Sequence, residues 1–235
     1  MGRVRYDGVP AVAGSALGLD ILRANPGATL DLGDPQCGNA CDSLAYVFQG
    51  SGSVHVGDSA EGLHSGSAAL LLAGERGEIR AGQEGIRVVV ANVSAQTDRH
   101  APLGPRETVA RLDSSVISAA TGSRSFQILF GPHNGSTRAT LFVGFVPPGR
   151  APWHYHLYDE IVWIPEGPAR LHLGDDVREL GPEAAFRLRP REVHIIENAS
   201  PDRELTIVGV FTPAGSPTAA FLEPDVAAEY RFTSS

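Results

Sequence analysis

The chain carries one stretch of sequence twice. The run DSLAYVFQGSGSVHVGD, residues 42–58, aligns without a gap on DEIVWIPEGPARLHLGD, residues 159–175, at an offset of 117 positions. The flanking aspartates, a histidine and two glycines fall on one another, and a Pro-Gly pair precedes each run. A repeat of this length predicts two copies of one structural unit within the 235 residues.

Hydrophobic and polar residues alternate with a period of two in both halves. Segments such as IRVVVANV, SFQILFG, ATLFVGFVP and ELTIVGVF are short, rich in Val, Ile and Phe, and bounded mostly by Gly, Pro, Asn or Asp. This pattern is typical of a many-stranded antiparallel barrel or sandwich. Only two segments have a helical pattern, residues 104–120 and, more weakly, residues 223–232. We therefore predict an all-β protein.

The repeat also predicts how the chain is divided. Residues 1–100 are expected to form an N-terminal β-domain, and residues 125–235 a C-terminal one. Residues 101–124 are expected to link the two, with helical character. The second domain is predicted to open with a β-hairpin whose turn lies at residues 131–136, where Gly, Pro and Asn cluster between two apolar runs.

Composition excludes several classes of function. The formal net charge of −8 argues against a nucleic-acid partner. All 19 basic residues are arginine, which excludes lysine Schiff bases, lysine-anchored pyridoxal phosphate and the Walker A loop. The chain shows neither a transmembrane run nor a secretory signal, so we expect a cytoplasmic protein away from membranes. Its two cysteines, Cys37 and Cys41, are accordingly expected to be reduced thiols.

A group of metal-ligand residue types lies in PWHYHLYDEIVWIPEG, residues 152–167. His154 and His156 are two apart in a predicted strand, so they project from the same face. The chain then turns and presents Glu160, while His194 begins another β-rich segment after a Pro turn. Three imidazoles and one carboxylate suit a divalent transition metal with open positions for substrate or oxygen. The other histidines are interpreted as structural or exposed: His55, His64, His100, His133 and His172.

These segments resemble the two sequence motifs of the cupin superfamily. GRAPWHYHLYDEIVWIPEG, residues 149–167, is similar to the first motif, and GPEAAFRLRPREVHIIEN, residues 181–198, is similar to the second. The resemblance implies a bicupin, two cupin-type barrels of jelly-roll (double-stranded β-helix) topology in tandem. It also implies one divalent metal ion with four protein ligands, His154, His156, Glu160 and His194. One position departs from the pattern, because Arg191 stands where the family usually has a small glycine before the last histidine.

The first half lacks this ligand set. At the repeat offset, three of the counterparts are Cys37, Asn39 and Ser43, and the fourth falls at Ile79 or its neighbours. A thiolate can bind a metal, and Cys37 with Cys41 could form a redox pair, but two cysteines without other ligands are more often inert. We therefore expect one metal ion per chain and a structural role for the first half.

Aromatic and basic side chains near the motifs are candidates to line a substrate pocket. Because side chains alternate along a strand, about half of the aromatic ones should face outward. The aromatic candidates are Phe142, Phe145, Trp153, Trp163 and Phe186. An arginine could pair with a substrate carboxylate or phosphate, although most arginines lie at the surface. The candidates for that role are Arg138, Arg150, Arg170, Arg187 and Arg189.

Three functions stay open at this point. The first, which we favour because the ligand set resembles the dioxygenase branch of the family, is oxygen activation beside a small oxygenated substrate. The second is an oxygen-independent isomerase, lyase or cyclase in which the ion (Fe, Mn, Ni, Zn or Cu) acts as a Lewis acid. The third is a non-catalytic protein that binds a sugar or another small molecule. Glu160 is the candidate catalytic residue, because a carboxylate can both bind the ion and accept a proton. The expected partners are a small-molecule substrate and a second copy of the chain.

Overall fold

The computed structural model describes residues 2–5, 17–32, 40–120 and 123–222. Within these ranges the regular structure consists of strands and two short 3₁₀ turns, Ser114–Val116 and Pro132–Asn134. The prediction of an all-β protein is confirmed. No helix in the described part of the chain is long and apolar enough to cross a membrane.

The first half forms one antiparallel sheet of eight strands. They are β1 (Gly2–Arg5), β2 (Leu17–Ala24), β3 (Thr29–Asp31), β4 (Cys41–Val56), β5 (Ser59–His64), β6 (Ser67–Leu71), β7 (Gly77–Ser94) and β8 (Val109–Arg111). The strand order is β1-β2-β7-β4-β6-β8, with β3 paired to β7 and β5 paired to β4. The long strands β4 and β7 pair along nearly their whole length, with register shifts around Gly50.

The second half forms three smaller antiparallel sheets. Its strands are β9 (Ser118–Ala119), β10 (Ser125–Phe130), β11 (Thr140–Val146), β12 (Gly149–Arg150), β13 (His154–His156), β14 (Asp159–Ile164), β15 (Ala169–Leu173), β16 (Asp176–Leu180), β17 (Ala184–Leu188), β18 (Ile195–Asn198), β19 (Leu205–Thr212) and β20 (Ala220–Leu222). The sheet orders are β17-β14-β19-β11-β10-β9, β12-β18-β15-β16 and β13-β20. The predicted hairpin is confirmed, because β10 and β11 pair antiparallel around the 3₁₀ turn at Pro132–Asn134.

The repeated glycines mark a place where two backbones meet closely. Gly50 has φ +83°, and a Cβ there would lie 2.2 Å from the carbonyl oxygen of Gly85. Its counterpart Gly167 is similarly crowded, since a Cβ would lie 2.9 Å from the carbonyl oxygen of Leu180. Real Cβ atoms do not approach an oxygen this closely, so both halves need glycine at the bend of the repeat.

The helix predicted for residues 104–120 is wrong. This segment contains β8, which pairs with β6 of the first sheet, and β9, which pairs with β10 of the second half. Between them Asp113 accepts a hydrogen bond from the backbone N–H of Ser115 and caps a single 3₁₀ turn. Edge pairing and this local cap satisfy the backbone, so tertiary contacts override the weak helical periodicity. The second helical candidate, residues 223–232, lies outside the described residues.

The two halves pack against each other through a shared apolar core. The strand β14 shows how: Val162 and Ile164 face the interior of the second half, whereas Ile161 and Trp163 belong to the cluster between the halves. That cluster also takes up side chains from the first half, among them Leu44 of β4. Burial on both faces explains why this strand has a continuous apolar run rather than strict alternation.

Buried and half-buried ion pairs also join the halves. Arg138 donates to both carboxylate oxygens of Asp42 at 2.9 and 3.1 Å, and both side chains are buried. On another side of the contact, Glu183 accepts from Arg23 and Arg87 of the first half. The pair of Asp42 and Arg138 is the buried one, and loss of either partner would leave a costly unpaired charge in the contact between the halves.

The expectation of reduced cysteines is wrong at Cys41, which is disulfide-bonded. The other cysteine of the chain, Cys37, lies outside the described residues. The prediction considered the expected cellular compartment and not the local geometry of the chain. Disulfide formation also depends on local geometry, which brings Cα atoms to about 4.4–6.8 Å of one another.

Candidate metal centre

His154 and His156 enter the interior of the second half from the short strand β13. Both imidazoles are buried, whereas Tyr155 between them points the opposite way and stacks on Phe221 with ring centroids 5.4 Å apart. The prediction that the two histidines share one face of a strand is confirmed. Pairing with β20 holds this strand in place, since His156 lies opposite Ala220.

His194 is held beside His154 by a pair of backbone hydrogen bonds. The N–H of His194 donates to the carbonyl of His154 at 2.9 Å, and the N–H of His154 donates back at 3.3 Å. Residues opposite each other in such a bridge carry neighbouring side chains, and the two ring centroids are 4.3 Å apart. The third ring, His156, lies 5.2 Å from that of His194.

One residue of the turn before His194 has a left-handed backbone conformation, and that residue is an arginine. Arg191 has φ +66°, a conformation that favours glycine. Its N–H donates to the carbonyl of His156 at 2.7 Å, which connects this turn to β13. Arg191 thus occupies a strained left-handed conformation, and its backbone hydrogen bond to His156 helps to stabilise it.

Backbone carbonyls set the orientation of the three rings. The Nδ1 atom of His154 lies 2.8 Å from the carbonyl of Pro152, and that of His194 lies 2.9 Å from the carbonyl of Glu192. The Nδ1 atom of His156 makes a longer contact of 3.5 Å with the carbonyl of Ala219. A carbonyl can only accept, so each Nδ1 carries the proton and each Nε2 keeps its lone pair for another partner.

Burial keeps these imidazoles neutral at ordinary pH. It lowers the pKa of His154 to about 3, with the neighbouring His194 adding a smaller effect. The pKa values of His156 and His194 are lowered to about 4, again mainly by burial. Neutral imidazole is the form that binds a metal ion, so no proton competes at the three Nε2 atoms near neutral pH.

Glu160 completes the group from the start of β14. Its neighbours across the sheet are Phe211 and Leu188, and its carboxylate oxygen Oε2 lies 3.7 Å from Nε2 of His156. That oxygen is buried without a hydrogen-bond partner among the described residues, and burial raises the pKa of Glu160 to about 8. A buried carboxylate without a partner is costly unless it is protonated or bound to a cation.

These donors fit a metal ion. Ligand atoms of three buried histidines, His154, His156 and His194, lie within 4.8 Å of one another, and this is the one such group in the described part of the chain. The partnerless oxygen of Glu160 faces the same group. Three imidazole nitrogens and one carboxylate oxygen suit Mn, Fe, Ni, Zn or Cu, since neither thiolate nor a full oxygen set is offered.

A cavity of about 80 Å³ opens onto the four side chains. Its apolar wall includes two predicted aromatic residues, Phe142 and Phe145, while Trp163 is buried between the halves instead. Neither Trp153 nor Phe186 lines it. Gly209 gives Phe142 its position, because a Cβ there would lie 2.3 Å from that ring and 3.1 Å from Oε1 of Glu160.

None of the five predicted arginine candidates lines this cavity. Four of them pair with carboxylates elsewhere: Arg138 with Asp42, Arg150 and Arg170 with Glu197, and Arg187 with Asp159. The remaining candidate, Arg189, is exposed. Glu197 also contacts His172 at 2.6 Å, so the interpretation of that histidine as structural agrees with its surroundings.

Two residues of the cavity wall were missed by the sequence analysis. Arg124 precedes β10, and Tyr158 lies between the histidines and Glu160. The Tyr158 ring stacks on His156 with centroids 4.5 Å apart and on Phe211 at 3.9 Å. The sequence offered one signal for Tyr158, because alternation puts it on the same face as His154 and His156. Nothing local marked Arg124.

The equivalent place in the first half holds a hydrogen-bonded polar group instead of ligands. Ser43, the counterpart of Glu160, donates to the side-chain oxygen of Asn92 at 2.6 Å. The counterpart of His194 by strand register is Gly77, which has no side chain to bind a metal. The other two counterparts, Cys37 and Asn39, lie outside the described residues.

Comparison with known proteins places the fold. No protein-family model and no curated protein matches the sequence. Among solved structures, two single-residue variants of oxalate decarboxylase from Bacillus subtilis match with TM-scores of 0.69 and 0.70, at 14% and 16% identity, over 89% of this chain and 72% of that chain. A structure from a study of the Mn(II) centres of the same enzyme matches with a TM-score of 0.67 at 14% identity, with the same coverage. This chain therefore has a cupin-type fold.

Proposed function

We propose that this chain is a metal-dependent enzyme with a bicupin arrangement, and that its C-terminal unit holds one divalent transition metal. The two units are residues 1–100 and 125–235, joined by residues 101–124. Four side chains would bind the ion: His154, His156, Glu160 and His194. The observation that carries the proposal is that three buried, neutral imidazoles and a carboxylate oxygen without a hydrogen-bond partner converge at one cavity.

The bound ion would supply Lewis acidity, and redox chemistry if it is iron, manganese or copper. The chain itself supplies the surroundings in which a substrate oxygen is polarised. The apolar rings of Phe126 and Phe142 exclude water from one side of the cavity. Pro217 and Thr218, in the segment of residues 213–222, cover another side of the cavity. Electrostatic effects are stronger in such a dry site than in water.

The reaction class we propose first is dioxygenation of a small oxygenated substrate. The support is the ligand set itself, three imidazoles and one carboxylate, on an ion that keeps positions for other ligands. Glu160 would act as ligand and as acceptor of the substrate proton. Its oxygen Oε2 has no hydrogen-bond partner among the described residues, and its side chain lines the cavity in which the substrate would lie.

The second candidate is an oxygen-independent lyase acting on a carboxylate or enol. It is favoured by the structural likeness to oxalate decarboxylase, an enzyme whose name describes removal of a carboxyl group from oxalate. In this reading the same groups act without consuming oxygen. Glu160 again moves the proton, and the ion acts on the substrate oxygen only as a Lewis acid.

The test combines metal analysis with substrate turnover in air and under strict anaerobiosis. Purified protein is expected to contain one equivalent of a divalent transition metal, and a panel of enols, catechols, keto acids and oxalate supplies the substrate. Oxygen uptake equal to substrate loss supports the dioxygenase, whereas full anaerobic turnover overturns it in favour of the lyase. Binding of panel members without turnover under either condition would contradict both and leave a binding protein.

A further inference from the structure

Arg124 lines the same cavity as the four metal-binding candidates. It immediately precedes β10, and its carbonyl accepts a hydrogen bond from the N–H of Ala120 at 2.8 Å, which fixes the backbone at the cavity rim. Of the cavity-lining residues in the described part of the chain, it is the one with a permanent positive charge.

Arg124 and the four candidate ligands line one cavity, so the guanidinium charge acts in the same space as an ion held there. A divalent ion carries more positive charge than the one carboxylate of Glu160 neutralises, and Arg124 adds a further positive charge to the cavity wall. Positive charge in a cavity with apolar walls attracts an anion.

The remainder of the wall is apolar. It is built by Phe126, Phe142 and Phe145 of the β10–β11 hairpin, with Ile196 and Ile207 from the adjoining strands. Such a surface favours an apolar body and disfavours a polyol, whose hydroxyl groups would lose hydrogen bonds with water. The cavity is thus cationic where it holds the ion and Arg124, and apolar elsewhere.

Arg124 also takes part in at least one other interaction. A guanidinium has five N–H donors in a planar fork, so an arginine can have more than one partner. A planar carboxylate matches two of these donors in a bidentate arrangement, which is both short and directional. The five arginines that the sequence analysis named as candidates for this role do not line the cavity.

We propose that Arg124 binds the carboxylate group of the substrate, and that the substrate is a small organic carboxylate with an apolar body. The inference deepens the proposed function, on which it rests for the presence of a reaction at this cavity. Arg124 therefore determines specificity: it selects anionic over neutral molecules of the same shape.

The test measures binding rather than turnover. Propionate and benzoate are titrated calorimetrically into the metal-loaded protein. Their amides, propionamide and benzamide, are titrated in the same way for comparison, because they are neutral and have nearly the same shape. The carboxylates are expected to bind at least tenfold more tightly than the amides. In Arg124→Gln this preference is expected to fall by about tenfold or more, as the loss of a charge-assisted hydrogen bond predicts, while amide affinity and metal content stay unchanged.

A matched control is Arg178→Gln, which removes the same charge from an exposed residue of β16 outside the cavity. This variant is expected to bind both carboxylates as the wild type does. An equal loss of carboxylate affinity in the two variants would show that the effect comes from the net charge of the protein and would overturn the inference. Equal carboxylate affinity in the wild type and in Arg124→Gln would also overturn it.

Failure of the inference can be distinguished from failure of the proposed function. The same titrations on protein stripped of metal by a chelator report on Arg124 without the ion. A carboxylate preference that depends on Arg124 in a protein that never binds a transition metal would keep the inference and overturn the proposed enzyme. If the protein contains one metal equivalent and turns over substrate, but carboxylate binding does not depend on Arg124, the proposed enzyme is kept and the inference about Arg124 is overturned.

Discussion

Oε2 of Glu160 lies 3.7 Å from Nε2 of His156, and it has no hydrogen-bond partner in the described part of the chain. Both groups are buried, and their pKa values move in opposite directions, up to about 8 for the acid and down to about 4 for the imidazole. In the metal-free protein, therefore, both are neutral near pH 7. A bound cation would allow the carboxylate to ionise within the protein, because an opposite charge close by lowers the pKa of an acid.

Metal affinity is expected to depend on pH through Glu160. Below its pKa of about 8 the carboxyl carries a proton that the ion must displace, whereas the histidines are already deprotonated above pH 5. The logarithm of the affinity should rise by about one per pH unit between pH 6 and 8 and level off above 8. Competition titrations with a chelator of known affinity measure this slope, and Glu160→Gln should remove it. An equal slope in both proteins would assign the proton to another group.

The same variant separates the two roles of Glu160. If it accepts a proton in the reaction, Glu160→Gln should keep most of the metal and lose the chemical step by a factor on the order of 10² or more. A single-turnover rate measured at saturating metal reports that step. Recovery of full activity with excess metal would instead show that Glu160 is a ligand only.

Removal of one histidine should empty the metal centre without unfolding the chain. His154→Ala and His194→Ala each delete one Nε2 donor, while the apolar core between the halves stays packed. Elemental analysis is expected to fall from one equivalent in wild type to below about a tenth, with an unchanged circular-dichroism spectrum. His64→Ala, at an exposed position, is the control. Two equivalents in wild type would contradict the single centre.

Tyr158 is expected to position His156. The imidazole of His156 contacts the carbonyl of Ala219 at 3.5 Å, which is longer than the corresponding contacts of the other two histidines. The stacked Tyr158 ring compensates for this weaker hydrogen bond. Tyr158→Phe keeps the stack, so its metal affinity should stay within about threefold, whereas Tyr158→Leu should lose about tenfold or more. Chelator competition gives both values. The reverse order would assign the effect to the hydroxyl, which lies 3.5 Å from the carbonyl of Pro217.

Gly209→Ala should destabilise the fold and disturb the cavity. The new Cβ would lie 2.3 Å from the Phe142 ring, which must shift towards the cavity that it lines. Overpacking of this kind costs about 1–3 kcal/mol in the free energy of unfolding. Urea denaturation measures the cost, and Gly181→Ala, where a Cβ meets nothing within 4 Å, is the control. A second change, Phe142→Leu, should recover part of the loss because it vacates the contact.

The pair of Asp42 and Arg138 should dominate the polar contribution to the contact between the halves. Arg138→Ala leaves a fully buried carboxylate whose remaining hydrogen-bond partner, within the described ranges, is the N–H of Ala73. A buried charge that loses its partner costs about 3–5 kcal/mol. Arg178→Ala breaks an exposed pair with Asp176 and should cost less than about 1 kcal/mol. Equal losses in the two variants on urea denaturation would show that the buried pair contributes no more than a surface one.

Much of the fold could be read from the sequence because its signals are local. Alternation over five to eight residues predicts strands, and the repeat of residues 42–58 at 159–175 predicts two related halves. The spacing of His154 and His156 predicts their common face, since a strand repeats every two residues. In each case the physical cause acts within one strand or one turn.

The errors have the opposite origin. Residues 104–120 have a helical pattern, but sheet edges of both halves take up β8 and β9. Cys41 is disulfide-bonded, and disulfide formation depends on distances between residues that composition does not record. Four of the five candidate arginines pair with carboxylates outside the cavity, because a guanidinium pairs with an acid that folding brings next to it.

Sequence alone determined the strand periodicity, the repeat and four candidate ligands, because each is a matter of residue type and spacing along the chain. Tertiary structure alone decided which groups surround those ligands. The carbonyl that orients His156 belongs to Ala219, which follows it by 63 positions. Arg124, which lines the same cavity, precedes it in the sequence. Contacts of this kind depend on which distant strands lie next to one another in the fold, and a local sequence pattern does not contain that information.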